Sequence, residues 1–513
     1  MRNTLGREIP EKIEGIAEVK VYAGAFDSPP NMNRQAPKVK SVHPDHSKMV
    51  NSLAEVFAKI PVKDGMTLSF HHHFRNSDGV VNMVLETAAK LGIKNLKVAL
   101  SSVFPVHAPL IQHVKNGVVT ALDTNYMSGP VAKAVSQGLF PTPVVMRTHG
   151  GRGRAIECGE LKIDVAFIAA PAADEYGNIN GVQGPTACGS LGYAFPDAQY
   201  ADCVVAVTDY MVEYPLSPIS IPQTRVDYVV KVDCVGDPNG IVSGTTRITK
   251  DPVGLKIAEN AAKVIQAAGL IINGFSFQTG AGGASLATAV FVRKMMEKDH
   301  ITGSFALGGI TGYMVDMLEK GFFKKIMDVQ GFDLEAIKSI TTNPNHLEIG
   351  ADFYASPFNA GCAVNKLDAV ILGATEIDTD FNVNVVTGSD GIIMGGSGGH
   401  ADAAAGAKVT IIVANLLRGR LPIIVDKVLT ATTPGETIDV LVTERGIAVN
   451  PRRTDLKETL LAAGLPVKDI RGLKELAEKI AGTPKQVKTG EKIVAVVEYR
   501  DGTIIDVVRQ VED

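Results

Sequence analysis

The segment 67–100 constrains the architecture of this chain more than any other. Thr67-Leu68-Ser69-Phe70 reads as a short strand, and the polar run His71-His72-His73-Phe74-Arg75-Asn76-Ser77-Asp78-Gly79 follows it. Val80, Val81, Val84, Leu85, Ala88 and Leu91 then lie on one helical face, with Ser77 or Asp78 available as a cap and Gly92 to end it. Residues 96–100 read as the next strand. This is a β-α-β unit whose polar loop sits at the carboxyl end of a strand, the usual ligand position in an open α/β sheet. The unit returns later. Residues 274–277 read as a strand, 278–283 as a glycine-rich loop, 286–296 as a helix and 305–307 as a strand; an offset of 207 carries Phe70 onto Phe277 and Ala99-Leu100 onto Ala306-Leu307. The recurrence predicts two related open α/β domains. Their divide is expected near Asp237-Pro238-Asn239-Gly240, which gives an N-terminal extension over 1–45, a first domain over 46–240 and a second over 241–513, with loops from both meeting in a shared cleft. A length of 513 residues agrees, being too great for one ordinary core.

Two further stretches suit the approach of an anion or a thioester. Gly395-Gly396-Ser397-Gly398-Gly399 follows the apolar Gly391-Ile392-Ile393-Met394 and precedes His400-Ala401-Asp402 and an Ala-rich helix start. Four glycines around one serine clear Cβ atoms from a short arc, so backbone N–H groups can reach a carbonyl or phosphate oxygen. The same composition also suits a tight turn needed only for packing. Ser397 has no paired base beside it in the sequence, so it lacks the mark of a nucleophile. Arg147-Thr148-His149-Gly150-Gly151-Arg152-Gly153-Arg154 threads three arginines and a histidine through three glycines, either as an open loop wrapped round an anion or as solvated basic surface. In an extended run, alternate residues share a face, which groups His71 with His73. Hydrogen bonding to an anion or carbonyl, or plain packing, suits them better than a metal, because no third ligand stands at a metal-like spacing.

Several function classes are disfavoured. A net charge of −4, without a basic patch interleaved with aromatics, argues against nucleic acid. Cys158, Cys188, Cys203, Cys234 and Cys362 are scattered without Cys-x-x-Cys spacing, which points to a reducing compartment and to neither a zinc site nor a disulfide framework. The first residues lack the apolar core of a signal peptide, and no apolar run reaches the roughly 20 residues of a membrane span, so the cytoplasm is the expected location.

Three motifs extend this reading. Asp164-Val165-Ala166 continues through Pro171-Ala172-Ala173-Asp174 to Gly177-Asn178; Gly395 leads through the glycine arc to Asp402; and Val442-Thr443-Glu444-Arg445-Gly446-Ile447-Ala448 stands late in the chain. Together they resemble the CoA-transferase superfamily over nearly the whole chain and, within it, the alpha-subunit family of bacterial citrate lyase, which 148–157 matches better than it does the generic transferases. The resemblance implies two open α/β domains with a shared interdomain cleft. It implies exchange of acetyl for citryl on the thioester of an acyl carrier protein, with citrate as acceptor and acetate as product. Acetyl-CoA or the carrier's CoA-derived prosthetic group is then a substrate, and no cofactor is held permanently. The implied partners are the acyl carrier protein (gamma) and a citryl-thioester lyase (beta) subunit in an oligomeric assembly.

On this basis the backbone amides of Gly280, Gly282, Gly283, Gly396 and Gly398 are candidates for the developing oxyanion. Gly395, Gly396, Ser397, Gly398 and Gly399 are candidates for the CoA-type arm, and His73, Arg75, Arg147, His149, Arg152 and Arg154 for the carboxylates of citrate. One departure matters. Many CoA transferases carry a glutamate after the strand corresponding to 305–307 and form a covalent thioester on it; here Gly308-Gly309-Ile310-Thr311-Gly312-Tyr313 supplies no carboxylate before Asp316, which is expected inside a helix with buried Met314, Met317 and Leu318. The absence agrees with a citrate-lyase-type transfer without a covalent enzyme intermediate. Two alternatives remain at this point: another carboxylate CoA-transferase or acyl-CoA hydrolase, and a non-catalytic ligand-binding subunit of the same fold.

Overall fold

The runs Val165–Ala170, Cys203–Thr208, Ala369–Leu372 and Val409–Val413 are apolar without alternation, and nearly all of their residues are buried. Such strands need cover on both faces, which a parallel sheet between helical layers supplies. The computed structural model describes residues 1–27, 47–242, 247–280, 282–485 and 487–512. It holds a ten-stranded sheet in the order Met49–Val50, Tyr228–Lys231, Cys203–Thr208, Val165–Ala170, Thr67–Phe70, Leu96–Leu100, Val119–Thr124, Val144–Met146, Thr489–Glu498, Ile504–Val511. An eight-stranded sheet runs His346–Glu348, Phe323–Gly331, Gly303–Ile310, Ser276–Thr279, Ala369–Leu372, Val409–Val413, Val440–Thr443, Gly446–Val449. Neighbours are parallel except in the last hairpin of each sheet. No helix among the described residues is long and apolar enough to cross a membrane.

When Thr67–Phe70 is set on Ser276–Thr279, the three strands to either side follow in the same chain order in both sheets. The repeat expected from one β-α-β unit therefore spans most of both domains. Its side-chain anchors repeat too. Asp164 Oδ2 accepts the amide of Thr67 at 2.8 Å, and Asp368 Oδ2 accepts that of Ser276 at 2.9 Å. Asp174 accepts the amides of Tyr176 and Asn178 and the Asn178 side chain; Asp378 does the same for Asp380 and Asn382.

The expected second domain, 241–513, is not one continuous body. Its last hairpin crosses back to the first sheet, where Ala495, Val496 and Val497 pair in parallel with Val144, Val145 and Met146. The short strand Val144–Met146 would otherwise leave an open sheet edge. Residues 1–27 lie on this hairpin: Ile9 and Ile13 pack with Val496 and Ile504, and the Tyr22 ring meets Tyr499 edge-on at 5.1 Å. The remainder of the expected extension, 28–45, lies outside the described residues.

Candidate active site

In each sheet the central strand has neighbours whose connections leave in opposite directions, and its carboxyl end opens onto a crevice. In the first sheet that end is His71. Alternation then divides the three histidines. The His71 and His73 rings stack on each other with centroids 5.8 Å apart, and both are buried. Burial, with the neighbouring His71, lowers the pKa of His73 to about 3, against a contact with the Ala169 backbone that raises it. His72 takes the other direction, stacking on Tyr193 at 4.4 Å and on His149 at 5.8 Å, with Nδ1 2.6 Å from Ser101 Oγ. The grouping of His71 with His73 is therefore as expected, and His72 is the histidine of the three that faces Tyr193 and His149.

Arg75 stands next to this group. Its backbone is left-handed, with φ of 52°, a conformation that costs of order 1 kcal/mol for a residue with a side chain. Its guanidinium lies over Phe104 from the first domain at 5.4 Å and Phe332 from the second at 4.8 Å. Burial weakens its hold on its proton, and no carboxylate pairs with it among the described residues. A desolvated, unpaired guanidinium is costly, and an arriving anion relieves that cost.

The glycine-threaded arginines do not form an open loop. Thr148 caps a helix, His149–Glu157, by accepting the amide of Gly151 at 2.8 Å, and all of the helix after His149 is buried. The glycines serve close packing: a Cβ on Gly150 would sit 2.1 Å from the carbonyl oxygen of Ala355. Asp402, from the second domain, accepts Thr148 Oγ1 at 2.9 Å and the amide of Gly150 at 2.8 Å, and so fastens this helix across the junction. Three of the expected substrate cations are committed elsewhere. Arg147 pairs with Asp123 at 2.7 Å and with Glu498; Arg154 pairs with Glu160 at 2.7 Å and Glu498 at 3.1 Å; Arg152 pairs with Asp197 at 2.7 Å. His149 is different. Its ring is half-buried beside His72 and Tyr193, its backbone amide donates to Gly398 at 2.8 Å, and burial, with Arg152 nearby, lowers its pKa to about 3.

The glycine arc closes the group from the second domain. The amide of Gly395 donates to Val386 at 3.1 Å and that of Gly398 to Asn125 at 3.2 Å. The amides of Gly396, Ser397 and Gly399 have no partner among the described residues, and Ser397 Oγ is buried without one. The packing reading of the arc holds, because a Cβ on Gly396 would stand 2.2 Å from the Asn125 carbonyl oxygen. Gly396→Ala is therefore expected to cost about 1–3 kcal/mol by overpacking, read as a fall in unfolding free energy in denaturant. The other glycine candidates stand farther along the second sheet. Gly280 donates to Ile371 at 2.6 Å, and Gly282 starts the helix Gly283–Lys298. It is Gln278, at the end of the preceding strand, that links this side to the arc, donating to Tyr354 Oη at 2.9 Å, where Tyr354 lies against Gly399.

Arg75, with no carboxylate partner among the described residues, lies over Phe104, whose ring is 5.5 Å from that of Tyr126, and Tyr126 lies against Gly396 of the arc. A family model, "Citrate lyase, alpha subunit (CitF)", matches residues 46–511. The citrate lyase alpha chain of Haemophilus influenzae is 52% identical over 466 residues, covering 91% of this chain and 93% of that one. This chain belongs to the citrate lyase alpha-subunit family. A solved citrate lyase alpha subunit from Streptococcus mutans, in complex with citrate, is 52% identical with a TM-score of 0.94, and 100% of each chain is covered. A 4-hydroxybutyrate CoA-transferase from Porphyromonas gingivalis, 17% identical with a TM-score of 0.54 over 84% of this chain and 97% of its own, shares the fold. In this citrate lyase alpha-subunit chain Asp316 lies in the helix Gly312–Glu319 among buried Met314, Met317 and Leu318, as expected. Its carboxylate turns outward and pairs with Arg293 and, at 2.8 Å, with Lys320.

Reading the sequence locally missed His72, Tyr193, Phe104, Phe332 and the role of Asp402. For His72 a signal existed, since grouping His71 with His73 leaves His72 facing the opposite side. Tyr193 and Phe332 arrive from distant segments, with nothing local to mark them; Asp402 stands in the glycine motif, but its partner Thr148 is 254 residues away.

Proposed function

We propose that this chain is the transferase subunit of a citrate lyase and exchanges acetyl for citryl on a CoA-type thioester, releasing acetate. The observation that carries the reading is the unpaired Arg75 guanidinium set against the partnerless amides of Gly396, Ser397 and Gly399, in a chain of this family. Arg75 holds a citrate carboxylate, with His72, His149 and Tyr193 around it. A second carboxylate of citrate attacks the thioester carbonyl; the C–S bond breaks, and a mixed anhydride and a thiolate result. The thiolate then attacks the citryl carbonyl, the C–O bond breaks, and acetate leaves, so no net proton is consumed. A carboxylate is a weak nucleophile toward a thioester, and alignment together with oxyanion stabilisation must supply most of the acceleration. The free amides of the arc suit that task, each such donor being worth about 10²–10³ in rate. The outward position of Asp316 supports direct transfer between bound substrates. The thioester arrives on the CoA-derived arm of a small acyl carrier protein, and the citryl product passes to a separate lyase subunit, within a cytoplasmic multi-subunit complex.

Mass spectrometry of the purified chain with acetyl-CoA and citrate tests this directly. Citryl-CoA and acetate are expected, with no change in intact protein mass. A CoA adduct on the protein would replace direct transfer by a two-step mechanism. Hydrolysis of acetyl-CoA without citryl-CoA would favour a hydrolase. No turnover, even with acetylated carrier protein, would favour a ligand-binding subunit.

A further inference from the structure

A citrate bound here brings up to three carboxylates, and the site meets them with one unpaired cation. Arg147, Arg152 and Arg154 are paired with Asp123, Glu498, Glu160 and Asp197. Asp402 adds a further carboxylate at the junction, with Arg500 Nε 3.5 Å from it. Beside Arg75 stand two stacked imidazoles. His72 and His149 stack at 5.8 Å, and both lie against Tyr193. Each has room to change state: His149 Nδ1 is buried without a partner among the described residues, and His72 Nδ1 meets the Ser101 hydroxyl, which can donate or accept.

The charged and titratable groups around the pair come from every element packed on it. His71, His73 and Arg75 flank His72, with Tyr126 beside Arg75; Arg152 lies on the helix of His149, Tyr193 covers both rings, and Asp328, Tyr354, Asp402 and Arg500 stand on the second-domain side. In the free protein burial is the main influence keeping both imidazoles neutral; His149, Arg75, His73 and His71 add to it at His72, and Arg152 at His149. A buried polyanion reverses this balance. An opposite charge within about 4–6 Å strengthens the hold on a proton by about 10- to 1000-fold, so carboxylates placed beside the pair oppose the burial that keeps both imidazoles neutral.

We propose that citrate binding at this site takes up about one proton and that the stacked pair His72 and His149 receives it. The proposal rests on the reading of the site as a citrate site. The resulting imidazolium reduces the charge deficit left by Arg75 alone. It also lies beside the glycine arc, where a Cβ on Gly398 would stand 3.2 Å from His149 Nε2. By linkage, citrate affinity then falls about tenfold per pH unit as pH rises through neutrality.

Titration calorimetry with citrate and the full chain, at neutral pH in buffers of different ionisation enthalpy, reads the proton count. About one proton taken up is expected, with uptake lost in the double variant His72→Gln/His149→Gln while weaker binding persists. If that variant does not fold, imidazole nitrogen NMR of the unmodified chain decides the assignment; citrate is expected to move histidine signals from neutral imidazole to imidazolium. Citrate heat that is independent of buffer overturns the proposal. So does uptake that survives in the double variant, or histidine signals that stay neutral with citrate bound, because the proton then resides on Asp402 or on citrate itself. Absence of any citrate heat is a different result and removes the citrate reading of the site together with the proposal.

Discussion

Arg75→Ala lowers kcat/KM for citrate by about 10²- to 10³-fold, a loss of about 3–4 kcal/mol of transition-state binding, and leaves the fold intact. A guanidinium that meets a carboxylate out of water makes two charge-assisted hydrogen bonds, and removing it strands the anion in a low-dielectric site. The free protein loses little by the change. Arg75 has no carboxylate partner among the described residues to abandon, and alanine tolerates φ of 52° no worse than arginine does. Arg75→Lys restores part of the activity, because it keeps the charge and gives up the planar fork and the stacking between Phe104 and Phe332. Steady-state kinetics with acetyl-CoA and citrate, alongside thermal unfolding, separate the effects. Unchanged kinetics in Arg75→Ala would remove this residue from the substrate and leave its desolvation unexplained.

The sequence announced the repeat through one β-α-β unit at an offset of 207, but most of the correspondence lies at another offset. Asp164, Asp174 and Asn178 recur as Asp368, Asp378 and Asn382, each 204 residues later, and make the same hydrogen bonds. The equivalence of Thr67 with Ser276 is an offset of 209, so the 207 match placed the first strand two residues out of register, and five residues are lost between that strand and the later anchors, which breaks a comparison made at one fixed offset. The glycine-rich helix His149–Glu157 shows the opposite limit. Each interior glycine costs a helix about 1 kcal/mol, and three in nine residues argue locally for a loop. Contact with Ala355 and the cap supplied by Asp402 override that preference, and both partners lie far along the chain. The arginines were misplaced for the same reason. Arg147 reads as an anion ligand until Glu498 is brought to it from 351 residues away. The glycine arc was the most legible part of the candidate site, because cleared Cβ atoms are a property of the residues themselves and need no distant partner.

That distant partner gives the largest expected change in stability. Glu498 ends the strand Thr489–Glu498, the one that returns from the second domain to the first sheet, and it accepts hydrogen bonds from both Arg147 and Arg154. All three side chains are buried. Glu498→Ala leaves two guanidinium groups short of a carboxylate in the interior, and breaking a buried pair in this way costs about 3–5 kcal/mol. Asp123 and Glu160 still hold one side of each arginine, which places the result toward the lower end. Glu498→Gln keeps the shape and one acceptor and is expected to cost less. Both variants lower the midpoint of denaturant unfolding, while the folded fraction retains its KM for citrate, since neither arginine reaches the cluster of Arg75, His72 and His149. Arg75→Ala and Glu498→Ala thus form a crossed pair, one losing catalysis with stability kept and the other losing stability with substrate affinity kept. A raised KM in Glu498→Ala at unchanged stability would return Arg147 and Arg154 to the substrate and move the citrate site to the far side of the helix His149–Glu157.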